Sequence, residues 1–160
     1  MLNLKAEQYL KIILLFSFFS LITAYFIEYV LGHQPCKLCL IERIPYGLSI
    51  ILIVTILVSK KNQKFLVLLL ILTFIFSLAI SFYHYGIEKG FFQESSVCGV
   101  RGFNESITKE DLLRQLNEKI VSCKDVTFRV FGLSLTSINI VISLIFIITL
   151  LKIFIEYEEN

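Results

Sequence analysis

The sequence predicts an all-α membrane protein: a four-helix transmembrane bundle with both termini cytoplasmic and a long outer loop carrying a short amphipathic helix. Three observations lead there. Hydrophobic residues make up 56% of the 160 residues and charged residues 18%, and the mean hydropathy is +0.79, well outside the range of a soluble globular domain. Four apolar stretches each approach the roughly 20 helical residues needed to cross a hydrocarbon core about 30 Å thick. The short flanks of these stretches carry their lysines in a pattern that assigns one side to the cytoplasm. The net charge of +2 is spread along the chain, with no basic stripe of the kind that binds nucleic acid, so no nucleic-acid partner is expected.

The first expected helix runs from Ile12 to Leu31, with Glu28 as its only charge. It is longer than the apolar core of a secretory signal and is followed by no A-x-A-like cleavage site, which favours a retained span. The second runs from Cys39 to Ser59 and has Glu42 and Arg43 in its opening turn. The third spans Phe65 to Ile87, and the fourth, Val130 to Leu151, is uncharged up to Lys152. Lipid offers backbone N–H and C=O groups no partner, so each span must be a helix. Residues 1–160 form one integral-membrane domain in this reading, with outer loops at about 32–38 and 88–129.

Lys60, Lys61 and Lys64 in the turn "SKKNQK", Lys5 and Lys11 before the first span and Lys152 after the last all fit one cytoplasmic side. The loop 88–129 holds seven basic residues, but long loops cross the membrane largely regardless of charge. Within it, "ITKEDLLRQLNEKI" reads as a short helix. Thr108 is its N-cap, Ile107 and Leu112 form a hydrophobic staple, and Leu112, Leu113, Leu116 and Ile120 make an apolar face. That face suits either the protein's own loop or the membrane surface. The fifteen Phe and seven Tyr are ordinary membrane packing and carry no functional argument.

The four cysteines, Cys36, Cys39, Cys98 and Cys123, all fall on the outer side, where disulfides persist. Buried inert thiols would not be sorted to one side in this way. No metal is expected: a Cys₄ zinc site usually repeats a close-spaced pair, whereas 24 residues separate Cys98 from Cys123. Plain stapling disulfides remain an alternative, but thiol–disulfide exchange fits better. In a helix each residue advances about 100°, so Cys36 and Cys39 reach one another across a single turn. Pro35 marks a helix start, and unsatisfied N–H groups there favour the thiolate that carries exchange.

Arg43 lies four residues after Cys39, on nearly the same helix face, where its charge suits a Cys39 thiolate or an electron-rich oxygen of a bound acceptor; a snorkelling interfacial arginine is the plainer reading. His84, in "SFYHYGIEK" near the outer end of the third span, reads either as an interfacial packing residue or as a proton donor or quinone ligand.

"PCKLCLIER" at 35 to 43, "YHYGIE" closing the third span, Cys98 and Cys123 in the outer loop, and "FGLSLTSIN" at 131 to 139 together resemble the DsbB family of bacterial inner-membrane proteins. The likeness covers essentially the whole chain. The P-C-x-L-C-x-x-x-R core is its specific element. The resemblance implies a quinone-dependent protein-disulfide oxidoreductase that reoxidises a DsbA-like periplasmic thiol oxidase and passes the electrons to ubiquinone or menaquinone in the bilayer. By position, Cys36 and Cys39 match the quinone-coupled pair, Cys98 and Cys123 the partner-facing pair, and Arg43 an arginine of quinone function. His84 corresponds approximately to a histidine near the quinone. The resemblance also implies the inner membrane, with the redox cysteines facing the periplasm.

Three alternatives stay open at the level of sequence. A vitamin K epoxide reductase-like enzyme places its C-x-x-C after the loop pair, the reverse of the order here. A disulfide-stapled scaffold would use the same cysteines without turnover. A dedicated paralogue would keep the chemistry and serve one partner.

Overall fold

The computed structural model describes residues 4–59, 62–93, 122–124, 129–130 and 132–158. Cys98 and the expected loop helix at 107–120 lie outside the described residues. Among the described residues four helices are long and apolar enough to cross a membrane: α1 Leu4–Tyr29, α2 Lys37–Val58, α3 Gln63–Glu88 and α4 Leu135–Glu158. Between α3 and α4 a small antiparallel pair, β1 Arg129–Val130 and β2 Leu133–Ser134, matches Val130 to Leu133 and Arg129 to Ser134.

Three helix bounds differ from the sequence reading by more than two residues: α1 and α4 start elsewhere, for local reasons, and α4 runs on to Glu158 instead of ending at Leu151. α1 starts at Leu4 instead of Ile12, because a hydropathy window finds the apolar part of a helix and not its polar end. There Lys11 and Glu7 pair at 2.7 Å one turn apart, a spacing that supports helix. α4 starts at Leu135 instead of Val130. Gly132 takes φ +82, a left-handed conformation that glycine adopts readily, and residues 129–130 and 133–134 form the β pair before the helix begins. Asn62, at the head of α3, also has positive φ, 58°, which asparagine tolerates better than most side chains.

α3 packs on α2 and α4, and α1 packs on α2. Because the helices alternate in direction, the start of α1, the end of α2, the start of α3 and the end of α4 share one end of the bundle. That end holds the main core: Leu10, Ile53, Ile56, Val67, Leu70, Phe74 and Leu150, all nearly inaccessible. The Phe74 and Phe146 rings meet edge to face at 5.0 Å, a preferred aromatic geometry. Midway, Ser49 donates to Ser17 at 3.1 Å and Ser143 to Ser77 at 3.3 Å, small polar contacts that let membrane helices approach closely. Outward, Ile12, Phe19, Ile51 and Phe82 are exposed, as lipid-facing side chains should be.

The other end of α3 closes in a Schellman turn. Gly90 (φ +77) donates to the Ile87 carbonyl at 3.0 Å and Phe91 to the Gly86 carbonyl at 2.8 Å. The returning chain lays Phe92 on Tyr83, with ring centroids 5.7 Å apart, and fixes the segment carrying His84 and Glu88.

Candidate functional site

The candidate site lies at the end of the bundle opposite the apolar core. Cys36 is the N-cap of α2: its backbone is extended, and its Sγ accepts from the Cys39 N–H at 3.3 Å. The expected turn geometry holds, with the two sulfurs 2.8 Å apart. Both are free thiols, Cys36 buried and Cys39 half-buried. Cys36, just outside the span, has its thiol pushed down to about 5. The largest cause is the hydrogen bond from Cys39; contact with His84 and the Cys39 backbone N–H add to it, and burial opposes it. Helix starts favour thiolates in this way.

His84 comes from α3. Its Nδ1–H donates to Glu42 Oε1 at 3.0 Å, with Thr136 Oγ1 at 3.3 Å from the same nitrogen. That leaves Nε2 toward Cys36 Sγ, 3.6 Å away. Thr136 O–H in turn donates to Glu88 Oε1 at 2.8 Å. The second Glu42 oxygen accepts from Asn139 Nδ2 at 3.3 Å, while Asn139 also donates to Ser81 Oγ at 2.7 Å and accepts from the Tyr46 hydroxyl. Among the described residues no buried side-chain nitrogen or oxygen lacks a partner. A fully satisfied network of this kind is rigid, whereas a partly satisfied one would be costly in a low-dielectric surround.

Arg43 turns to α1. It pairs with Glu28, reaches the Ala24 carbonyl at 3.5 Å and sits over the Tyr25 ring at 5.0 Å. Its guanidinium is thereby held at the wall of a cavity of about 390 Å³ between α1, the start of α2 and α4. Cys39, Glu42, Arg43 and Asn139 line its polar side, and Phe16, Phe19 and Ile142 its apolar side. Cys36 and His84 are not among the lining residues.

Both members of the pair pack in one cluster, and Cys39 alone of the two also borders the cavity. Cys39 borders the cavity with Arg43. Cys36 lies in a second buried cluster with Leu38, Ile87 and Cys123, and Cys123 is held in a disulfide. Of the sequence-derived candidates, Cys36, Cys39 and His84 come together directly, Arg43 shares the cavity wall with Cys39, and Cys123 packs in the cluster of Cys36. Sequence reasoning left out the partners: Glu28 for Arg43, and Glu42, Thr136, Asn139 and Glu88 around His84. The available signal was an ionisable or amide side chain inside an apolar span, which is costly there and marks a site by default.

The arrangement can pass a disulfide from one cysteine pair to another and present one reduced sulfur to a small molecule. Comparisons with known proteins agree with the disulfide part of that chemistry. The model of the family described as disulfide bond formation protein DsbB matches residues 6–153. The uncharacterized protein RP370 of Rickettsia prowazekii (strain Madrid E) is 28% identical over 152 residues, covering 92% of this chain and 88% of that protein. No solved structure matches. With a dithiol turn, a disulfide-bonded loop cysteine beside it and four spans, the chain belongs to the DsbB family of disulfide bond formation membrane proteins.

Proposed function

We propose that the protein reoxidises a DsbA-like periplasmic thiol oxidase and delivers the electrons to a membrane quinone, either ubiquinone or menaquinone. In this reading it sits in a bacterial inner membrane with both termini cytoplasmic and the cysteines facing the periplasm. The observation that carries the proposal is the placement of the pair: both cysteines pack in the cluster that holds Cys123, and Cys39 also reaches the wall of the cavity beside Arg43.

A thiolate of the partner attacks the Cys98–Cys123 disulfide at Cys98, and Cys123 leaves as thiolate. With the inner pair oxidised, Cys123 attacks the Cys36–Cys39 disulfide at Cys36, and Cys39 leaves as thiolate. The partner's second thiol then takes the partner out as its own disulfide. The Cys98 so released attacks Cys123, re-forming Cys98–Cys123 and leaving Cys36 and Cys39 reduced. Each transfer breaks one S–S bond and forms another, so two electrons reach the inner pair. His84, with its Nε2 at Cys36 and its Nδ1 on Glu42, holds or releases the Cys36 proton as the pair opens and closes.

The cavity fits a quinone in size and in chemistry. Arg43 supplies the donor for a ring oxygen beside Cys39, and Phe16, Phe19 and Ile142 supply an apolar wall for a ring and the start of an isoprenoid tail. A bound quinone supplies a sink for two electrons and two protons. Arg43 is kept in place for such an oxygen by Glu28 and Ala24.

The test is a trapping experiment. In Cys39→Ser, Cys36 is left without its intramolecular partner and quinone reduction should stop, while the outer pair still captures the partner as a mixed disulfide, seen on a non-reducing gel. Continued quinone reduction by Cys39→Ser would overturn the order of transfer.

A further inference from the structure

We propose that the reduced Cys36–Cys39 pair and His84 form a binding site for a thiophilic divalent cation, of which Zn²⁺ is the type, open only while the Cys36–Cys39 bond is broken. Cys36 Sγ, Cys39 Sγ and His84 Nε2 can each offer one ligand atom, and these atoms all lie within 4.8 Å of one another. Zinc takes bonds of about 2.3 Å to sulfur and about 2.0–2.1 Å to nitrogen, so a tetrahedral site spaces sulfur and nitrogen about 3.6 Å apart and the two sulfurs about 3.8 Å apart. The observed Cys36 Sγ to His84 Nε2 distance is 3.6 Å. The sulfurs, at 2.8 Å, have to part by about 1 Å, a small rotation of the half-buried Cys39 side chain.

The histidine is also oriented as a metal ligand would be. Metal-binding imidazoles almost always donate their other N–H to a carboxylate or carbonyl, which fixes the tautomer and aims the free lone pair. His84 has that arrangement before any metal arrives: Nδ1–H is committed to Glu42 Oε1 at 3.0 Å, and Nε2 points at Cys36. Three protein ligands leave a fourth position for water or for Glu88, whose Oε1 stands 3.9 Å from Nε2. Coordination consumes no electrons. Each thiol gives its proton to solvent as its sulfur binds the cation, and both protons return when the cation leaves.

The site is exclusive with the disulfide, because the sulfurs that ligate the cation are those that must bond to each other. A bound cation therefore holds the pair reduced and stops the cycle at that point. The inference needs only a reducible pair, and it stands or falls independently of the quinone.

The full chain, purified in detergent without quinone and reduced, is titrated with Co²⁺, whose thiolate charge-transfer and ligand-field absorption report tetrahedral sulfur coordination; Zn²⁺ then displaces it. One equivalent per chain is expected for the reduced protein and none after oxidation, a contrast that needs no substitution. Glu42→Gln should weaken binding about 10–100-fold, and His84→Ala, which removes a ligand, by more than that. The Cys98→Ser/Cys123→Ser double variant should bind as the wild type does. Three results would each overturn the proposal: no sulfur-based absorption in the reduced protein, affinity unchanged in His84→Ala, or binding lost in the double variant.

Discussion

At the end of the bundle that holds the termini, Leu10, Ile53, Leu70 and Leu150 close a core of aliphatic and aromatic side chains. At the opposite end the same four helices bring Glu28, Cys39, Arg43, His84 and Asn139 to one region. The difference follows from what lipid rewards. Apolar side chains gain little by leaving lipid for a protein core, so the terminal end is held by close packing and by serine contacts. Polar side chains have no solvent there, so they hold only where each finds a partner, and the partners come from different helices. Packing makes one end a scaffold; mutual satisfaction makes the other a site.

The largest effects should separate the two ends cleanly. Cys36→Ser and Cys39→Ser should reduce coupled turnover to background with little change in thermal unfolding, read by quinone absorbance and by melting in detergent. Leu150→Ala, at the core end, should do the reverse. Its cost is the lost packing without the water-transfer contribution, about 1–3 kcal/mol, below the roughly 2–5 kcal/mol typical of soluble cores. Turnover per folded molecule should stay at wild-type level. Equal losses of activity and stability in all three would erase the distinction.

A second contrast lies within the functional end. Arg43→Gln removes a donor from the cavity wall and leaves Glu28 unpaired. KM for quinone should rise about tenfold, equivalent to about 1.4 kcal/mol, with partner trapping unchanged. Glu28→Gln should shift KM the same way by less, since the guanidinium remains and only its anchor is lost. Asn139→Ala deprives Glu42, Ser81 and Tyr46 of one partner each; a stability loss of about 1–3 kcal/mol is expected from the groups left unsatisfied, measured by unfolding in mixed detergent.

The smallest expected effect is at the turn closing α3. A Cβ on Gly86 would stand 2.1 Å from the Phe92 ring, so Gly86→Ala must push that ring off Tyr83. A loss of about 1 kcal/mol, the scale of an aromatic pair, with unchanged cysteine chemistry would mark the turn as support for His84. A large loss of partner trapping would instead make it part of the transfer path.

Much of this was legible in the sequence because lipid imposes simple rules. Span length and apolar content yield four helices, and Pro35 before a C-x-x-C marks the helix start that brings two sulfurs together. The ends of α1 and α4 were not legible from hydropathy, since Lys5, Glu7 and Lys11 are helical but polar, and Gly132 turns a short β pair where an apolar run suggested helix. At the site, Cys39 and Arg43 could be assigned to one face from their spacing of four. The partners of His84 could not, because Glu42 and Thr136 come from other helices and nothing in local spacing links residues 42 and 52 positions away. The same gap hides the Cys36, Cys39 and His84 cluster: cysteine spacing alone argues against a metal, and only the packing of α3 on α2 supplies the nitrogen.

The central claim is that the inner pair couples thiol oxidation to quinone reduction. The most direct test follows quinone absorbance and partner thiols together, with purified protein, a quinone and a reduced DsbA-like partner, wild type beside Cys39→Ser. The account predicts that the wild type reduces one quinone for every two thiols lost, as a two-electron couple requires, and that Cys39→Ser reduces none. Thiols oxidised with no quinone reduced, or both continuing in Cys39→Ser, would contradict it.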